Sequence, residues 1–407
     1  LEGEPVHTAV QSHVDFAWGW SAPADRMPRN EWSARWSGTV TPPVSGSYRL
    51  GAACRSGGLR LYVGGRLVLD HWGTPDGDHS AERVYEVICD HVEMDFEAGQ
   101  PVEICLEYNK TANKSALRLE WDVPGWGDPI ERAARVAAEA DVVIVCGGLS
   151  NGHEGGSNDR KDIDMPGRQV ELIEAVSAAN PNTVVVLAGG GPLAVRPWID
   201  RTASVLMTWY GGQEGGNALA HVLFGDVNPS GKLPDTFPVR LEDNPAWGNY
   251  PGDGKSVHYA ESIFVGYRHY DTRGIEPAFP FGFGLSYTRF ALDNLRLSSD
   301  TMAGDQAVDV SVDVANVGDL AGKEVVQLYV RDVEASVPRP LRELKGFAKV
   351  DLKPGEKTTV RFTLTRDDLS FFDPERNLWR AEPGTFEIQI GAHSRDAAQT
   401  CRLEYRC

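Results

Sequence analysis

The chain has 407 residues and a formal net charge of −18, from 58 acidic and 40 basic side chains. This acidic excess argues against a nucleic-acid-binding protein and against binding to anionic membranes. No apolar run approaches the roughly 20 residues that a transmembrane helix needs. The length favours about two to four domains.

The cysteines and the first residues indicate the cellular context. The cysteines are scattered without Cys-x-x-Cys spacing, which predicts neither a zinc site nor a disulfide framework and favours a reduced, cytoplasmic protein. The chain starts at Leu1, without an initiator methionine or a signal-peptide pattern. We therefore expect it to be the later part of a longer polypeptide.

Residues 1–125 have the pattern of an all-β domain. Trp32, Ala34 and Trp36 alternate with polar neighbours, as in a strand with one buried face. Gly64-Gly65 predicts a hairpin turn. Further strands are predicted at 59–63, 67–70, 102–108 and 117–121.

Residues 126–255 change to a pattern in which strands, loops and helices alternate. The apolar run at 141–146 shows little polar alternation, so we expect a strand buried on both faces of a parallel sheet. This alternation predicts an α/β layered sandwich with a mostly parallel sheet. Other buried strands are predicted at 183–188 and 205–209, and helices at 130–140, at 218–223 and along the stripe Val170, Leu172, Ile173 and Val176.

The rest of the chain is predicted to be a connector followed by a second β domain. In residues 256–290 aromatic residues and glycines alternate too irregularly for a regular element, so we expect an ordered loop. Residues 291–407 return to strand alternation, which predicts a fibronectin III-like β-sandwich. Its clearest strands are predicted at 308–314, 325–330, 359–364 and 385–390. The predicted fold class is multidomain, α/β plus all-β.

The polar loop at 147–168 follows the first predicted parallel strand and is the candidate site. Its single glutamate, Glu154, is followed by two glycines. Open parallel sheets bind ligands just past the carboxyl ends of their strands, so Glu154 can reach over a substrate held by another part of the protein. A solvated loop glutamate is the alternative. The Gly189-Gly190-Gly191 run lacks a complete nucleotide-binding fingerprint and predicts a tight turn.

Four segments resemble motifs of the family 3 glycoside hydrolases. They are YGGQEGGNALAHVLFGDVNPSGKLPDTFP, ESIFVGYRHYD, PFGFGLSYTRF and EVVQLYV…RPLRELKGFAKVDLKPGE. They occur in the order typical of the family, and the resemblance extends over nearly the whole chain. The resemblance implies a retaining, exo-acting β-glucosidase that removes β-linked glucose from non-reducing ends. It implies no cofactor.

The segment SGTVTPPVSGSYRL…GLRLYVGGRLVLDHW resembles the PA14 domain, a β-sandwich that often contacts carbohydrate. Family 3 members that carry PA14 insert it within the α/β sandwich domain. Some PA14 domains bind calcium through an acidic pair, whereas this chain has Arg55-Ser56-Gly57-Gly58 there, so no metal site is expected. Aromatic residues of this domain either rim a sugar site or pack into the sandwich. The candidates are Trp18, Trp20, His71 and Trp72.

A retaining glycosidase needs two carboxyl groups about 5–5.5 Å apart, a nucleophile and an acid/base. In the resembled family the nucleophile is an Asp on a barrel N-terminal to the segments seen here. The acid/base is a Glu on the α/β loop, a role that maps onto Glu154. The family usually reads Glu-Gly-aromatic-Asp-Arg, whereas this chain reads Glu154-Gly155-Gly156-Ser157-Asn158-Asp159-Arg160, with either two more residues or a shifted Glu and a lost aromatic.

Three neighbours of Glu154 are predicted to bind substrate, each with a structural alternative. His153 lines the aglycone side, or is a solvated loop histidine. Asp159 and Arg160 contact the sugar, or form a pair that fixes the loop. Asp159 is disfavoured as the nucleophile, because a residue five positions from the acid on one loop rarely faces it across a glycosidic bond.

Two functional hypotheses follow. In the first, the chain belongs to a β-glucosidase whose barrel lies upstream or on another chain, and the substrate is a β-glucoside or a β-linked gluco-oligosaccharide. In the second, it is a non-catalytic array of carbohydrate-binding modules. β-Xylosidase activity is the alternative within the first hypothesis, since the residues that select glucose over xylose would lie mostly on the barrel. Exposed sandwich domains often mediate dimerisation, so the sequence is compatible with a homodimer.

Overall fold

The structure is a computed structural model that describes residues 4–19, 21–24, 27–29, 31–72, 88–110, 115–150, 153–155 and 159–406. The chain divides into two compact units, Leu1–Arg132 and Ala133–Cys407. Trp20, a candidate for the sugar rim, lies outside the described residues, as do Gly156, Ser157 and Asn158 of the candidate loop. The domain borders drawn from the sequence stay predictions.

The described part of the first unit is a β-sandwich, as its alternation predicts. Its strands are β1 (Asp15–Gly19), β2 (Trp32–Val40), β3 (Gly46–Arg55), β4 (Gly57–Val63), β5 (Arg66–His71), β6 (Ile88–Phe96), β7 (Val102–Lys110) and β8 (Ser115–Asp122). They form two antiparallel sheets, with the orders β1-β8-β3-β6 and β2-β7-β4-β5. Gly64 and Gly65 close the predicted hairpin with φ of 56° and 78°.

The core of this sandwich lies between the two sheets, because alternate side chains of each strand point inward. Tyr48 of β3, Leu59 of β4 and Leu106 of β7 belong to one buried cluster. Trp18 packs edge-on against Trp32, with ring centroids 5.0 Å apart. Trp18 therefore packs against the core, in agreement with the packing alternative for this residue.

The second unit begins with an α/β layer. Its elements are β9 (Val143–Gly148), α2 (Gln169–Ala179), β10 (Thr183–Ala188), β11 (Ser204–Met207) and α3 (Gly215–Leu223), with 3-10 turns at Ile199–Arg201 and Leu241–Asp243, while α1 (Pro129–Ala138) runs across the border of the units. The three strands form a parallel sheet of order β11-β10-β9. Ile173 and Val176 of α2 pack on Val145 and Val185 of the sheet. The predicted parallel sheet is confirmed.

The prediction that the first parallel strand is buried on both faces is wrong. In β9, Val145 is 8% exposed and belongs to the core with Ile173, whereas Ile144 is 46% exposed and Cys146 is exposed too. Within the described residues β9 lies at the edge of the sheet, and α2 packs on one of its faces. An apolar run shows that a face can be buried, but neighbouring elements decide whether it is.

The prediction of a connector without regular elements is also wrong, because it contains helix α4 (Tyr267–Arg273). Gly266 and Gly274 bracket this helix with positive φ of 54° and 65°. Tyr270 and Asp271 are buried. A helix this short depends on tertiary contacts, which a periodicity argument does not detect. No helix in the described part of the chain is long and apolar enough to cross a membrane.

The end of the chain forms the predicted fibronectin III-like sandwich. Its elements are β12 (Phe290–Leu297), β13 (Thr301–Ala303), β14 (Val308–Asn316), β15 (Gly322–Asp332), β16 (Glu343–Leu352), β17 (Lys357–Leu364), α5 (Arg366–Leu369), β18 (Phe371–Asp373), β19 (Leu378–Arg380), β20 (Gly384–Gly391) and β21 (Gln399–Arg406). The main sheets have the orders β12-β14-β17 and β13-β21-β20-β15-β16. The alternating Val308, Val310, Val312 and Val314 are all buried in the core.

Candidate active site

Three loops converge on the carboxylate of Glu154 at the carboxyl ends of the parallel strands. The loop after β9 carries Glu154 itself, which is half-buried. The backbone N–H of Gly190, in the loop after β10, donates a hydrogen bond to Oε1 of Glu154. The hydroxyl of Tyr210, in the loop after β11, donates to the same oxygen. This is the edge at which open parallel sheets bind ligands.

The loop that carries Glu154 leaves the sheet along a fixed path. Gly148 has a φ of 132°, and a Cβ built there would overlap the carbonyl oxygen of Ala188. The side chain of Gln169 accepts from Gly148 N at 2.7 Å and donates to Gly148 O at 2.9 Å. Leu149 N then donates to Ala188 O at 2.8 Å. The first residues of the loop are therefore hydrogen-bonded both to Gln169 of α2 and to Ala188 of β10.

The Gly189-Gly190-Gly191 run, predicted as a tight turn, also contacts the carboxylate. A Cβ built on Gly190 would lie 2.9 Å from Cε2 of Tyr210 and 3.1 Å from Oε1 of Glu154. Both separations are closer than ordinary van der Waals contact. The absence of a side chain at Gly190 therefore lets the backbone N–H approach the carboxylate.

Tyr210 was not predicted as a site residue, and the backbone before it explains its position. Thr208 N donates to Leu187 O at 2.8 Å, which extends the pairing of β11 with β10. Trp209 then adopts a positive φ of 52°, and its ring packs edge-on against buried Phe237 at 6.2 Å. The next side chain, Tyr210, is 61% exposed. The available signal was an aromatic residue directly after the third strand, on the edge that also carries Glu154.

Arg160 ties the loop of Glu154 to the loop after β10. Its Nη1 donates to Pro192 O at 2.9 Å. Burial lowers the pKa of the guanidinium, and the charge of Glu154 acts in the opposite direction. Nearby, Ala194 N donates to Ile163 O at 2.7 Å. These contacts are those expected of a residue that fixes the loop; sugar contact by Arg160 stays a prediction.

Asp159 and His153, the other predicted substrate-binding residues, are exposed. Asp159 accepts a hydrogen bond from the hydroxyl of Tyr250, which raises the pKa of that tyrosine. Asp159 and Arg160, predicted as a pair, thus have different partners. Nδ1 of His153 lies 2.9 Å from Oγ of Ser150. The binding roles of both residues stay predictions. Among the described residues, no group of three or more His, Cys, Asp or Glu side chains is arranged to hold a metal ion.

Two family profiles match this chain. Residues 21–287 match the glycosyl hydrolase family 3 C-terminal domain, and residues 324–394 match the fibronectin type III-like domain. The chain therefore belongs to glycosyl hydrolase family 3. The first match covers most of the first unit as well, so it does not distinguish a separate PA14-like module there.

Individual relatives show the same similarity. The chain is 41% identical to a β-glucosidase of Rhizobium radiobacter, over 97% of this chain and 49% of that protein. It is 50% identical to thermostable β-glucosidase B of Acetivibrio thermocellus, over 66% of this chain and 35% of that protein. The crystal structure of β-glucosidase from Kluyveromyces marxianus in complex with glucose has a TM-score of 0.79 and 34% identity, over 98% of this chain and 48% of that one. The chain spans about half the length, or less, of these relatives.

Proposed function

We propose that this chain is the part of a retaining, exo-acting β-glucosidase that supplies the acid/base, and that its substrate is a terminal non-reducing β-D-glucosyl residue. The observation that carries the proposal is the half-buried carboxylate of Glu154, held where the loops after β9, β10 and β11 meet. The similarity to proteins named β-glucosidase, one of them crystallised with glucose, supports the same substrate class.

The chemistry divides between Glu154 and a nucleophile that another part of the enzyme supplies. In the first step Glu154 gives a proton to the glycosidic oxygen, the bond from C1 to that oxygen breaks, and an Asp on the barrel bonds to C1. In the second step Glu154 takes a proton from water as the water oxygen bonds to C1 and releases the Asp. The barrel lies outside the residues of this chain, on the same polypeptide or on another.

The test is turnover of 4-nitrophenyl β-glucoside and β-xyloside by the enzyme that contains this chain and its barrel. Glu154→Ala should lower kcat for the glucoside by at least about 100-fold, because the second step then has no general base and such proton transfer contributes 10²–10⁴. Added azide should partly restore turnover and yield β-glucosyl azide, since azide attacks the glycosyl-enzyme without a general base.

The matched control is Glu214→Ala, which removes an exposed glutamate from the loop after β11, where it accepts a hydrogen bond from Asn217. This variant should keep its turnover. Full activity of Glu154→Ala would overturn the site assignment. A preference for the xyloside would favour a β-xylosidase, and no turnover with the barrel present would favour a non-catalytic binding array.

We also infer that residues 1–125 are a PA14-like module that contacts a β-linked gluco-oligosaccharide. The support is the pair of antiparallel sheets and the resemblance of the segment that contains β3, β4 and β5. Titration with cellotetraose, followed by amide chemical shifts, should perturb residues of this unit. Perturbations confined to residues 133–407 would contradict the inference.

A further inference from the structure

We propose that Tyr210 is a positioning residue for the acid/base reaction: with the N–H of Gly190 it holds Oε1 of Glu154, so that Oε2 gives and takes the proton. The inference rests on the proposed function, because it assigns a role to one oxygen of the proposed acid/base. It concerns a residue for which the motif resemblance implied no role.

The hydrogen bonds decide which oxygen carries the proton. Among the described residues, the hydrogen bonds to the side chain of Glu154 both reach Oε1. A carboxyl oxygen that accepts two hydrogen bonds has both of its in-plane lone pairs occupied. Both groups donate in this contact, since a backbone N–H cannot accept and the hydroxyl of Tyr210 donates to Oε1. The transferable proton therefore resides on Oε2.

Tyr210 is held rigidly enough to act as a fixed donor. Thr208 is hydrogen-bonded to Leu187 O through both its N–H and its hydroxyl, at 2.8 and 3.0 Å. The positive φ of Trp209 turns the chain directly after this anchor, and its ring packs on Phe237. A non-glycine residue keeps such a φ only where its surroundings fix it. The ring of Tyr210 also lies against the backbone of Gly190.

The loop around Glu154 does not by itself fix the side-chain rotamer, so the two hydrogen bonds are needed to position the carboxylate. It is followed by Gly155, and a Cβ built on that glycine would meet no atom within 4 Å. A glutamate side chain has three rotatable bonds, and an open loop does not select one rotamer. Two donors on one oxygen restrict these rotamers, and they leave Oε2 without a hydrogen bond from the described residues.

The test compares leaving groups that differ in their need for a proton. In Tyr210→Phe, kcat/KM for cellobiose should fall about 10- to 100-fold, because a misplaced acid costs this much when the leaving group is an alkoxide. For 2,4-dinitrophenyl β-glucoside, whose leaving group departs as a stable anion, kcat/KM should stay within about 2-fold. With this second substrate kcat and KM should fall together. In the second step Oε2 still has to act as the base, so the variant hydrolyses the glycosyl-enzyme slowly and this intermediate accumulates.

Two further variants distinguish a failure of the inference about Tyr210 from a failure of the proposed function. Tyr287→Phe removes the hydroxyl of another exposed tyrosine, which donates to Val222 O at 2.8 Å, and should leave both substrates unaffected. If Glu154→Gln loses cellobiose turnover but Tyr210→Phe behaves like Tyr287→Phe, only this inference is wrong. If Glu154→Gln keeps cellobiose turnover, the proposed function fails. Equal losses on both substrates in Tyr210→Phe, with a lower Tm, would show a structural role and overturn the inference.

Discussion

At the scale of single residues, the site depends on glycines, whose lack of a side chain allows close contacts. Gly148 lets β9 end against Ala188, and Gly190 lets a backbone N–H reach Glu154. Both glycines follow apolar strands in the sequence, where glycine predicts only a turn. Their close neighbours belong to other strands and loops, so the sequence does not show what each glycine makes room for.

Gly148→Ala should destabilise the α/β layer. The added Cβ would overlap Ala188 O, and the φ of 132° is unfavourable for alanine. We expect a loss of about 1–3 kcal/mol in the free energy of unfolding, the usual cost of overpacking. Urea denaturation measures it. Gly155→Ala is the control, because its Cβ would meet no atom within 4 Å and should change stability by less than about 0.5 kcal/mol. Equal stability of the two variants would contradict the prediction.

At the scale of elements, helix α4 shows how a short segment is held by the sandwich next to it. Nε of Arg395 donates to Asp271 at 2.8 Å, and Nη2 donates to the carbonyl oxygens of Tyr270 and Ile275 at 3.2 and 2.6 Å. Burial raises the pKa of Asp271, and the hydrogen bond from Arg395 opposes this shift. The arginine comes more than a hundred positions after the helix, so the local sequence could not predict the helix.

Arg395→Ala should destabilise the joint between α4 and the sandwich. It leaves the buried Asp271 without its closest cation and removes one donor from each of two carbonyl groups, so we expect a loss of about 3 kcal/mol in the free energy of unfolding. The control is Glu276→Gln, since Glu276 pairs with the same arginine but its side chain is 78% exposed. That ion pair should contribute less than about 1 kcal/mol to the free energy of unfolding. Thermal unfolding of both variants measures the difference, and similar Tm values would refute the prediction.

The sheet β12-β14-β17 should lose stability in acid through Asp313. Hydrogen bonds from Arg296, Thr359 and Asn294 lower the pKa of this carboxyl to about 2. A lowered folded-state pKa means that the stabilisation is present above the ordinary value of 3.8 and is lost as the pH falls toward 2. Urea unfolding between pH 2 and 5 should therefore be less pH-dependent in Asp313→Asn, and in Arg296→Gln as well. An unchanged slope in Asp313→Asn would contradict the assignment.

At the scale of the whole molecule, the sequence predicted elements better than contacts. β10 was predicted with its observed bounds, and the strands of the last sandwich within a few residues, because alternation and apolar runs are local signals. The exposed face of β9 was not predicted, because its burial depends on which other elements pack against it. Tyr210 was missed because it meets Glu154 across 56 positions of the chain. The loop after the first parallel strand indicated Glu154, the resemblance implied its role, and the folded chain adds the groups that hold it.

The attachment of the Glu154 loop at both ends has a consequence for how this loop can vary in length. Glu154 is located by the exit of the chain at Gly148 and by the two donors on its carboxylate, whereas the far end is anchored separately, through Arg160 and Pro192. Among the described residues, the contacts that hold Glu154 and those that hold Arg160 are therefore separate. We therefore expect a change of length between these two anchors to leave the contacts of Glu154 in place, at the point where this chain has either two more residues than the usual family pattern or a shifted Glu and a lost aromatic.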